Sequence, residues 1–421
     1  MKDSGIWSPY AIMFLGLWLI TGPIIFATPY HSMVNDYTCG ALLIVLGFLM
    51  RPQKRIWVPW TCSLIGIWLQ FAPLVFWAHA GIYLNDSLVG ALVVLFSIII
   101  PDLPRQLPDT GPSIPPGWSY NPSSWGQRIP IAVFAIIGWL ISRYLAAYQL
   151  GHIDTVWDPF FGDGTIRVIT SSVSKSFPVP DAGLGSLAYV TEALLTCQGG
   201  ERRWRTSPWM VVIFGILVVP LGLTSIVLII LQPLVVGAWC TLCLFTAFCM
   251  LLPIALSVDE VTAVLQYLRH SKEKPFWKLF FQGGECPEAH IDNRSPHSSA
   301  PLRKLLRSSL WGITAPWNLV ISAALGLFLM FCFQIFPVTH HMKDLDDILG
   351  PLIIVTSVIS LAEPTRKARW INWSLAAVVI AGAFVFESAE SLILHLVLMG
   401  ILALLTIRKG PIKEKTHYLI R

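Results

Sequence analysis

The sequence predicts an all-α integral membrane protein with about 12 transmembrane helices. Hydrophobic residues make up 55% of its 421 residues and charged residues only 13%, whereas a soluble domain carries about 25% charged residues. The mean hydropathy is +0.65. The apolar residues are also gathered into runs long enough to cross a bilayer. A water-soluble main activity is therefore excluded.

The predicted spans form three blocks of four. The second span is short and would need flanking residues or a thinner bilayer around it. The spans cover residues 9–28, 37–50, 57–77 and 86–100, then 129–150, 182–197, 208–231 and 234–256, and finally 317–336, 348–361, 371–386 and 392–407.

Lysine and arginine cluster in alternate connections between these spans, which predicts that both termini are cytoplasmic. The long loop from Gly151 to Pro180 then lies on the extracytoplasmic side. The net charge of +5 comes from short clusters rather than from a basic stripe. Nucleic acid is therefore excluded as a partner, and membrane lipid is the expected surrounding.

A repeated spacing links the first and third blocks. A glycine follows a tryptophan at the same distance in four places, and in three of them an aspartate and a second glycine follow. We expect each tryptophan at a membrane interface, each first glycine at a close helix contact, and each aspartate at the N-cap of the returning helix. The units are Trp7, Gly16, Asp36 and Gly40; Trp57, Gly66, Asp86 and Gly90; Trp317, Gly326, Asp346 and Gly350; and Trp373 with Gly382.

Two of these hairpins begin near Ser8-Pro9-Tyr10 and Ala315-Pro316-Trp317. With the fourfold spacing, these residues resemble the SPW repeat membrane domain. The resemblance covers residues 1 to about 100 and about 309 to 408. It implies two pairs of helical hairpins, one on each side of a different central unit, and no established chemistry.

Two polar segments separate the blocks. Residues 101–128 are rich in proline and predict a semi-rigid cytoplasmic linker. Residues 258–308 predict an amphipathic helix, then an aromatic stretch at the lipid interface over Phe276–Phe281, then disorder. The predicted domains are 1–100, 101–128, 129–257, 258–308, 309–408 and a basic cytoplasmic tail at 409–421.

A pair of cysteines, Cys240 and Cys243, opens the last span of the central block. On a helix the two lie on one face about one turn apart, at a separation that a disulfide can bridge. The pair indicates redox chemistry, although small buried cysteines are also common in apolar helices. We discount a metal site there, because Cys249 would face away and no other histidine or cysteine lies near in sequence.

The central block has one helix, a long outer loop and three helices, with Trp-Cys-x-x-Cys at the start of the last. It resembles the vitamin K epoxide reductase family, which consists of quinone-linked membrane thiol oxidoreductases. Ser171-Ser172 in the loop and the segment Asp181–Tyr189 agree with the family. The resemblance covers residues 129–257 and implies a four-helix bundle in a bacterial cytoplasmic (inner) membrane.

The family resemblance also implies an electron relay. A cysteine pair in the outer loop takes electrons from a thioredoxin-like partner and passes them to the membrane pair, which reduces ubiquinone or menaquinone. On this chain Cys240 would exchange with the outer thiol and Cys243 would face the quinone. A cysteine in the first turns of a helix is favoured as the thiolate by the helix dipole. The residues expected around the quinone are Trp239, Phe248, Tyr189, Glu192 and Phe161.

The outer loop departs from the family because it contains no cysteine. Thr165 stands where the second loop cysteine is expected, and Trp157–Phe161 occupies the region of the first. Family members also place a tyrosine one turn after the second membrane cysteine, where this chain has Ala247. Two functions stay open. A separate extracytoplasmic thioredoxin-like protein reduces the pair directly, with Trp157 and Phe161 as part of a lid, or the chain is a non-enzymatic scaffold or redox sensor.

Several other residues admit more than one interpretation. Glu192, an acid within a span, is either a functional group for proton transfer or transport, or a neutral acid hydrogen-bonded to a neighbouring helix. His395 is expected to be an interhelical hydrogen-bond partner. The remaining six cysteines are expected to be packing or solvent-side residues: Cys39, Cys62, Cys197, Cys249, Cys286 and Cys332.

Overall fold

A computed structural model describes residues 7–26, 28–50, 57–98, 112–271, 275–296, 300–387 and 389–416. Nearly all of its regular structure is helical. The helices are α1 (Ser8–Ile25), α2 (Tyr30–Met50), α3 (Trp57–Val75), α4 (Ala80–Ile98), α5 (Trp125–Gln149), α6 (Gly164–Ile169), α7 (Asp181–Cys197), α8 (Arg203–Thr206), α9 (Pro208–Leu231), α10 (Thr241–His270), α11 (Phe276–Gln282), α12 (Leu302–Ser308), α13 (Trp317–Phe331), α14 (His340–Ile359), α15 (Ile371–Phe386) and α16 (Ala389–Ile407). Two short strands, β1 (Ser113–Ile114) and β2 (His290–Ile291), pair antiparallel.

Each of the predicted spans coincides with a long helix, which confirms the fold class. Among the described residues, ten helices are long and apolar enough to cross a membrane. The two predicted spans outside this set are α7, which has only 17 residues, and α14, which begins with a charged segment over residues 343–347. The chain is a multi-pass, all-helical membrane protein.

The chain divides into two compact units. The first contains residues 1–109 and 135–199, and in it α3 and α4 pack against α7. The second contains residues 110–134 and 200–421, and in it α9 and α10 pack against α14. Each unit therefore combines one hairpin pair with part of the segment 129–257. Within each unit, hairpin helices pack against helices of the segment 129–257, and the domain boundaries drawn from the sequence stay a prediction.

The glycines of the repeated spacing bring the two helices of a hairpin into backbone contact. In each of the three complete units, a side chain on one glycine would collide with the carbonyl oxygen of the other. The fourth unit departs, as its shorter turn predicts, because a Cβ on Gly382 would meet side chains of α14 instead. A Cβ built on the second glycine would lie 2.6 Å from the first oxygen in Gly16–Gly40, 2.4 Å in Gly66–Gly90 and 2.7 Å in Gly326–Gly350.

Replacing Gly326 with alanine should lower the free energy of unfolding by about 1–3 kcal/mol, the usual cost of overpacking. The new Cβ would stand 2.7 Å from the Gly350 carbonyl oxygen, and backbone atoms cannot move aside cheaply. Denaturant titration of the purified protein in detergent measures the change. Gly400 in α16 is a matched control, because a Cβ there has nothing within 4 Å. Equal stabilities of Gly326→Ala and Gly400→Ala would contradict the close contact.

The aspartates of the repeat do not cap helices, and that prediction is wrong. Helix α2 begins at Tyr30 and α4 at Ala80, so Asp36 and Asp86 lie within them, and both are buried. The two carboxyl groups hydrogen-bond each other. Their neighbours Asn35 and Asn85 donate side-chain hydrogen bonds to them at 3.2 Å and 3.1 Å. Helices α2 and α4 begin several residues before the apolar runs that predicted them, because their first turns are helical although they are polar.

The linkers of the second unit are ordered where the structure describes them, so the prediction of disorder in 258–308 is wrong there. The predicted amphipathic helix is the continuation of α10 to His270, and α11, β2 and α12 follow it. Residues 99–111 of the proline-rich linker lie outside the described residues. The rest of that linker packs on α10, where the Trp118 indole donates to Gln266 Oε1 at 2.7 Å.

A buried ion pair joins this linker to the helices. Arg203 of α8 forms a two-pronged contact with Glu260 of α10, with Nε to Oε1 at 2.6 Å and Nη2 to Oε2 at 2.5 Å. Ser123 of the linker donates to the same carboxylate at 2.5 Å. Arg203 and Glu260 are 1% and 3% exposed. Their charges depend on each other, since neither has access to water.

Carboxylate groups of the second unit bind the basic tail. The backbone N–H groups of Lys413 and Glu414 donate to Glu363 at 2.9 Å and 3.0 Å, and Arg294 contacts Glu414 at 2.6 Å. Burial by itself would raise the pKa of Glu414, but hydrogen bonds from Arg294 and Ser119 outweigh burial and lower it. Because the pKa of Glu414 is lower in the folded than in the unfolded chain, the hydrogen bonds to its carboxylate stabilise the folded protein fully above the unfolded pKa. This stabilisation is lost as the pH falls through the folded pKa.

Candidate redox site

The turn between α9 and α10 holds the cysteine pair. Helix α9 ends at Leu231, and Gln232–Val236 form one wider π-helical turn. Gly237 then adopts φ of +65°, a left-handed conformation that glycine tolerates best, and redirects the chain. Such π-helical turns often mark functional sites.

Cys240 and Cys243 form a disulfide at the N-terminus of α10, with Cα atoms 5.2 Å apart. Cys240 is the N-cap residue, since α10 begins at Thr241, and its sulfur accepts a hydrogen bond from the Cys243 backbone N–H at 3.0 Å. The Gln232 side chain holds the backbone of Cys240, because its Oε1 accepts a hydrogen bond from the Cys240 N–H at 2.9 Å. After reduction, the N-terminus of this 30-residue helix would stabilise a thiolate on Cys240.

The two sulfurs differ in accessibility. Cys240 is fully buried, and Cys243 is half-buried. The preceding residues Val235 and Gly237 are exposed, and a Cβ on Gly237 would have nothing within 4 Å. A partner thiol can therefore reach Cys240 only if the turn around Gly237 moves, whereas Cys243 is reached from its own face of α10.

An apolar cavity of about 500 Å³ lies beside this face, between α9, α10, α13 and α14. Ser225 is the single polar side chain in its lining. Helix α10 contributes Leu244, which follows Cys243, and Ala247, one turn after Cys243 on the same face. A cavity of this size and polarity suits a lipid-like ligand.

The structure brings four of the predicted site residues together. Trp239, Cys240 and Cys243 lie within five residues around the helix start, and Phe248 lines the cavity. The Trp239 ring is 5.3 Å from that of Phe331, which lines the cavity as well. The disulfide therefore lies at the start of the helix whose following turns line the apolar cavity.

Three other predicted residues, Tyr189, Glu192 and Phe161, belong to the first unit. Tyr189 is buried, and its ring lies over Gly138 of α5, where a Cβ would come within 2.5 Å. Glu192 is fully buried, and neither carboxylate oxygen has a hydrogen-bond partner among the described residues. The expected hydrogen bond from a neighbouring helix is therefore not seen there. Phe161 is half-buried, and its backbone N–H donates to Asp158 at 2.9 Å.

The outer loop is closed by hydrogen bonds where the family has cysteines. Asp158 lies in the region expected for the first loop cysteine, and its Oδ2 accepts from the Thr165 hydroxyl at 2.6 Å and from the Thr165 backbone N–H at 2.9 Å. Its Oδ1 accepts from the backbone N–H groups of Phe160 and Phe161. The loop thus keeps a closed form without a redox-active group.

Replacing Thr165 with valine should open this loop while keeping its shape and volume. A hydrogen bond to a charged group contributes about 1.5–3 kcal/mol, so amide hydrogen exchange over residues 157–165 should accelerate roughly 10- to 100-fold. Thr170→Val is the control, because the Thr170 hydroxyl only donates to Ile166 within its own helix. Unchanged exchange in Thr165→Val would show that the loop is held elsewhere.

Sequence reasoning missed Gln232 and Asp158. Gln232 is the sole polar side chain between Ser225 and Cys240, so an amide in an otherwise apolar run was its available signal. Asp158 follows Trp157 in a loop with several other acids and glycines, and no spacing distinguishes it.

The fold and the site define a class: a multi-pass helical membrane protein with a disulfide at the N-terminus of a long helix, beside an apolar cavity. Comparison with known families makes this specific. Residues 129–258 match the Vitamin K epoxide reductase family, and residues 6–100 match the SPW repeat domain. The chain therefore combines a vitamin K epoxide reductase family segment, of a membrane thiol–disulfide oxidoreductase kind, with an SPW repeat domain. No curated protein and no solved structure matches the chain significantly.

Proposed function

We propose that this protein oxidises the dithiol of an extracytoplasmic thioredoxin-like protein and passes the electrons to a membrane quinone. The observation that carries the proposal is the Cys240–Cys243 disulfide at the start of α10, directly before Leu244 and one turn before Ala247, both of which line the apolar cavity. The family match supports the oxidoreductase kind. The positive-inside pattern supports the topology, with the loop 151–180 and the disulfide on the extracytoplasmic side and both termini in the cytoplasm.

The reaction begins with attack of a partner thiolate on the disulfide. With Cys240 as the point of exchange, the partner's sulfur bonds to Cys240, and Cys243 leaves as a thiolate that takes up a proton. The partner's second thiol then displaces Cys240, which leaves the partner oxidised and both membrane cysteines reduced. The turn around Gly237 must move first, because Cys240 is buried.

Cys243 directly precedes Leu244 and lies one turn before Ala247, both of which line the cavity, and we assign to it the delivery of electrons there. A quinone, when bound, supplies the oxidant: it accepts two electrons and two protons from the two thiols, and the disulfide forms again. The cavity offers the apolar surface that an isoprenoid tail needs. Ala247 stands where the family has a tyrosine, so it provides space rather than a hydrogen-bond donor.

A second candidate, a redox sensor or scaffold, is favoured by the outer loop. The loop has no cysteine, and Thr165 is committed to a hydrogen bond with Asp158. In that function the disulfide would change state only with the redox potential outside the membrane, and quinone would have no effect.

Turnover of the purified full-length protein distinguishes the two. Dithiothreitol would serve as electron donor, and short-chain ubiquinone or menaquinone as acceptor, with quinol formation followed by absorbance. We expect quinol formation that depends on protein and on dithiol. Absence of quinol with both quinones, while dithiothreitol still reduces the disulfide, would contradict the oxidoreductase and favour the sensor.

A further inference from the structure

A second buried cluster of chemically active groups lies in the second unit, away from the disulfide's own residues. Cys332 follows α13, Asp346 lies in α14 and His395 lies in α16. Their exposures are 0%, 1% and 0%. His395 Nε2 is 3.0 Å from Asp346 Oδ2, and Cys332 Sγ is 3.5 Å from the same oxygen. His395 is thus an interhelical partner as expected, whereas the prediction that Cys332 only packs is wrong.

We propose that Cys332, Asp346 and His395 form a binding site for a divalent transition metal, with Zn²⁺ the best match. Their thiol, carboxylate and imidazole donor atoms all lie within 4.8 Å of one another. Zinc bonds of about 2.0–2.3 Å at tetrahedral angles separate donor atoms by about 3.4–3.6 Å. The two separations from Asp346 Oδ2, 3.0 Å to His395 Nε2 and 3.5 Å to Cys332 Sγ, are close to these values. Mixed sulfur, nitrogen and oxygen ligands are typical of zinc rather than of magnesium or calcium.

The histidine is already oriented for metal binding. Its Nδ1 lies 2.8 Å from the Ser391 carbonyl oxygen, and a carbonyl can only accept, so Nδ1 carries the hydrogen. Nε2 is the nitrogen directed at Asp346. This outer hydrogen bond to a backbone carbonyl fixes the ring in many metal sites. The second carboxylate oxygen, Asp346 Oδ1, is buried with no hydrogen-bond partner among the described residues.

The charge balance is also compatible with a metal in place of the His395–Asp346 ion pair. A buried carboxylate beside an apolar core needs a compensating charge. With Zn²⁺, a thiolate, a carboxylate and a neutral imidazole make the cluster neutral overall. The three protein donors leave a fourth position open for water or another ligand, as in zinc sites that exchange ligands.

Comparison with the first hairpin pair shows what is particular to this cluster. In that pair the second and fourth helices meet through two carboxyl groups, Asp36 and Asp86. In the second pair the corresponding helices, α14 and α16, meet through Asp346 and His395, and Cys332 adds a sulfur. An acid pair is thereby replaced by a mixed donor set that suits a transition metal.

Zinc binding to the full-length protein tests the proposal. The protein is stripped with a chelator, kept oxidised at Cys240–Cys243, and titrated with Zn²⁺ alone. We expect one zinc per chain, with the dissociation constant raised at least about 10- to 100-fold in Cys332→Ser, Asp346→Asn and His395→Gln. Cys62→Ser and Asp86→Asn in the first hairpin pair are controls and should bind like the unmodified chain.

Two measurements on the unmodified chain keep the test decisive if a variant fails to fold. Co²⁺ should give a thiolate-to-metal charge-transfer band, and in mild denaturant, where the buried thiols become accessible, Zn²⁺ should slow the alkylation of Cys332 while leaving that of Cys62 unaffected. Absence of saturable zinc binding, or binding that survives all three ligand substitutions, would overturn the proposal. So would a cobalt complex without the thiolate band.

Discussion

Cys240→Ser and Cys243→Ser should each reduce dithiol-driven quinol formation to background, a loss of roughly 10⁴-fold or more, as expected when a nucleophile is removed. Neither variant can cycle between the internal disulfide and the dithiol that stores the two electrons. Cys249→Ser is the matched control, because Cys249 is a buried cysteine of the same helix that is not part of a disulfide. Activity in either paired-cysteine variant comparable with that of Cys249→Ser would show that electrons take another route.

The same variants separate the roles of the two sulfurs. If Cys240 is the point of exchange, the Cys240 thiolate of Cys243→Ser should attack the disulfide of an oxidised thioredoxin-like partner, release one partner thiolate and remain in a mixed disulfide, whereas Cys240→Ser should not. Nonreducing gels of cross-linked membranes measure the adduct. The opposite pattern would assign exchange to Cys243, the more accessible sulfur, and the quinone-facing role would pass to Cys240.

Glu260→Gln should destabilise the second unit by about 3–5 kcal/mol, because it leaves the Arg203 guanidinium buried without its counter-charge. Arg203→Met should cost a similar amount for the same reason. The double variant Arg203→Met with Glu260→Met should recover much of the loss, since two apolar side chains remove both buried charges. Denaturant titration in detergent measures all three.

Arg294→Met provides the control for that experiment. Arg294 also pairs with a glutamate, Glu414, but its side chain is 42% exposed. Solvent screens such a pair, so its loss should cost no more than about 1 kcal/mol. A cost for Glu260→Gln as small as that for Arg294→Met would mean that water reaches the Arg203–Glu260 pair.

The sequence predicted the helices and the location of the disulfide, because both depend on local patterns. Apolar runs define spans in any bilayer. Two intervening residues between Cys240 and Cys243 place their sulfurs within reach of each other. The repeated glycines predicted close helix contacts, and Gly326 and Gly350 show such a contact. These features need no knowledge of distant contacts.

The remaining features depend on residues that are far apart in sequence. Asp346 meets His395 across 49 positions, and Trp118 meets Gln266 across 148. Periodicity contains no information about such partners, so the sequence predicts a helix cap for the aspartate and only a semi-rigid linker for the residues around Trp118. The apolar cavity depends on four helices, two of which lie outside the family segment, and could not be located from residues 129–257 alone.

The redox state of Cys240 and Cys243 in native membranes tests the central claim most directly. Differential thiol labelling would be compared before and after depletion of quinone, with Cys240→Ser and Cys243→Ser identifying the labelled sites. The account predicts a disulfide that becomes a labelled dithiol when quinone is removed, because electrons then enter the pair without leaving it. A pair whose labelling does not respond to quinone would contradict the account and leave the protein as a membrane module without this electron transfer.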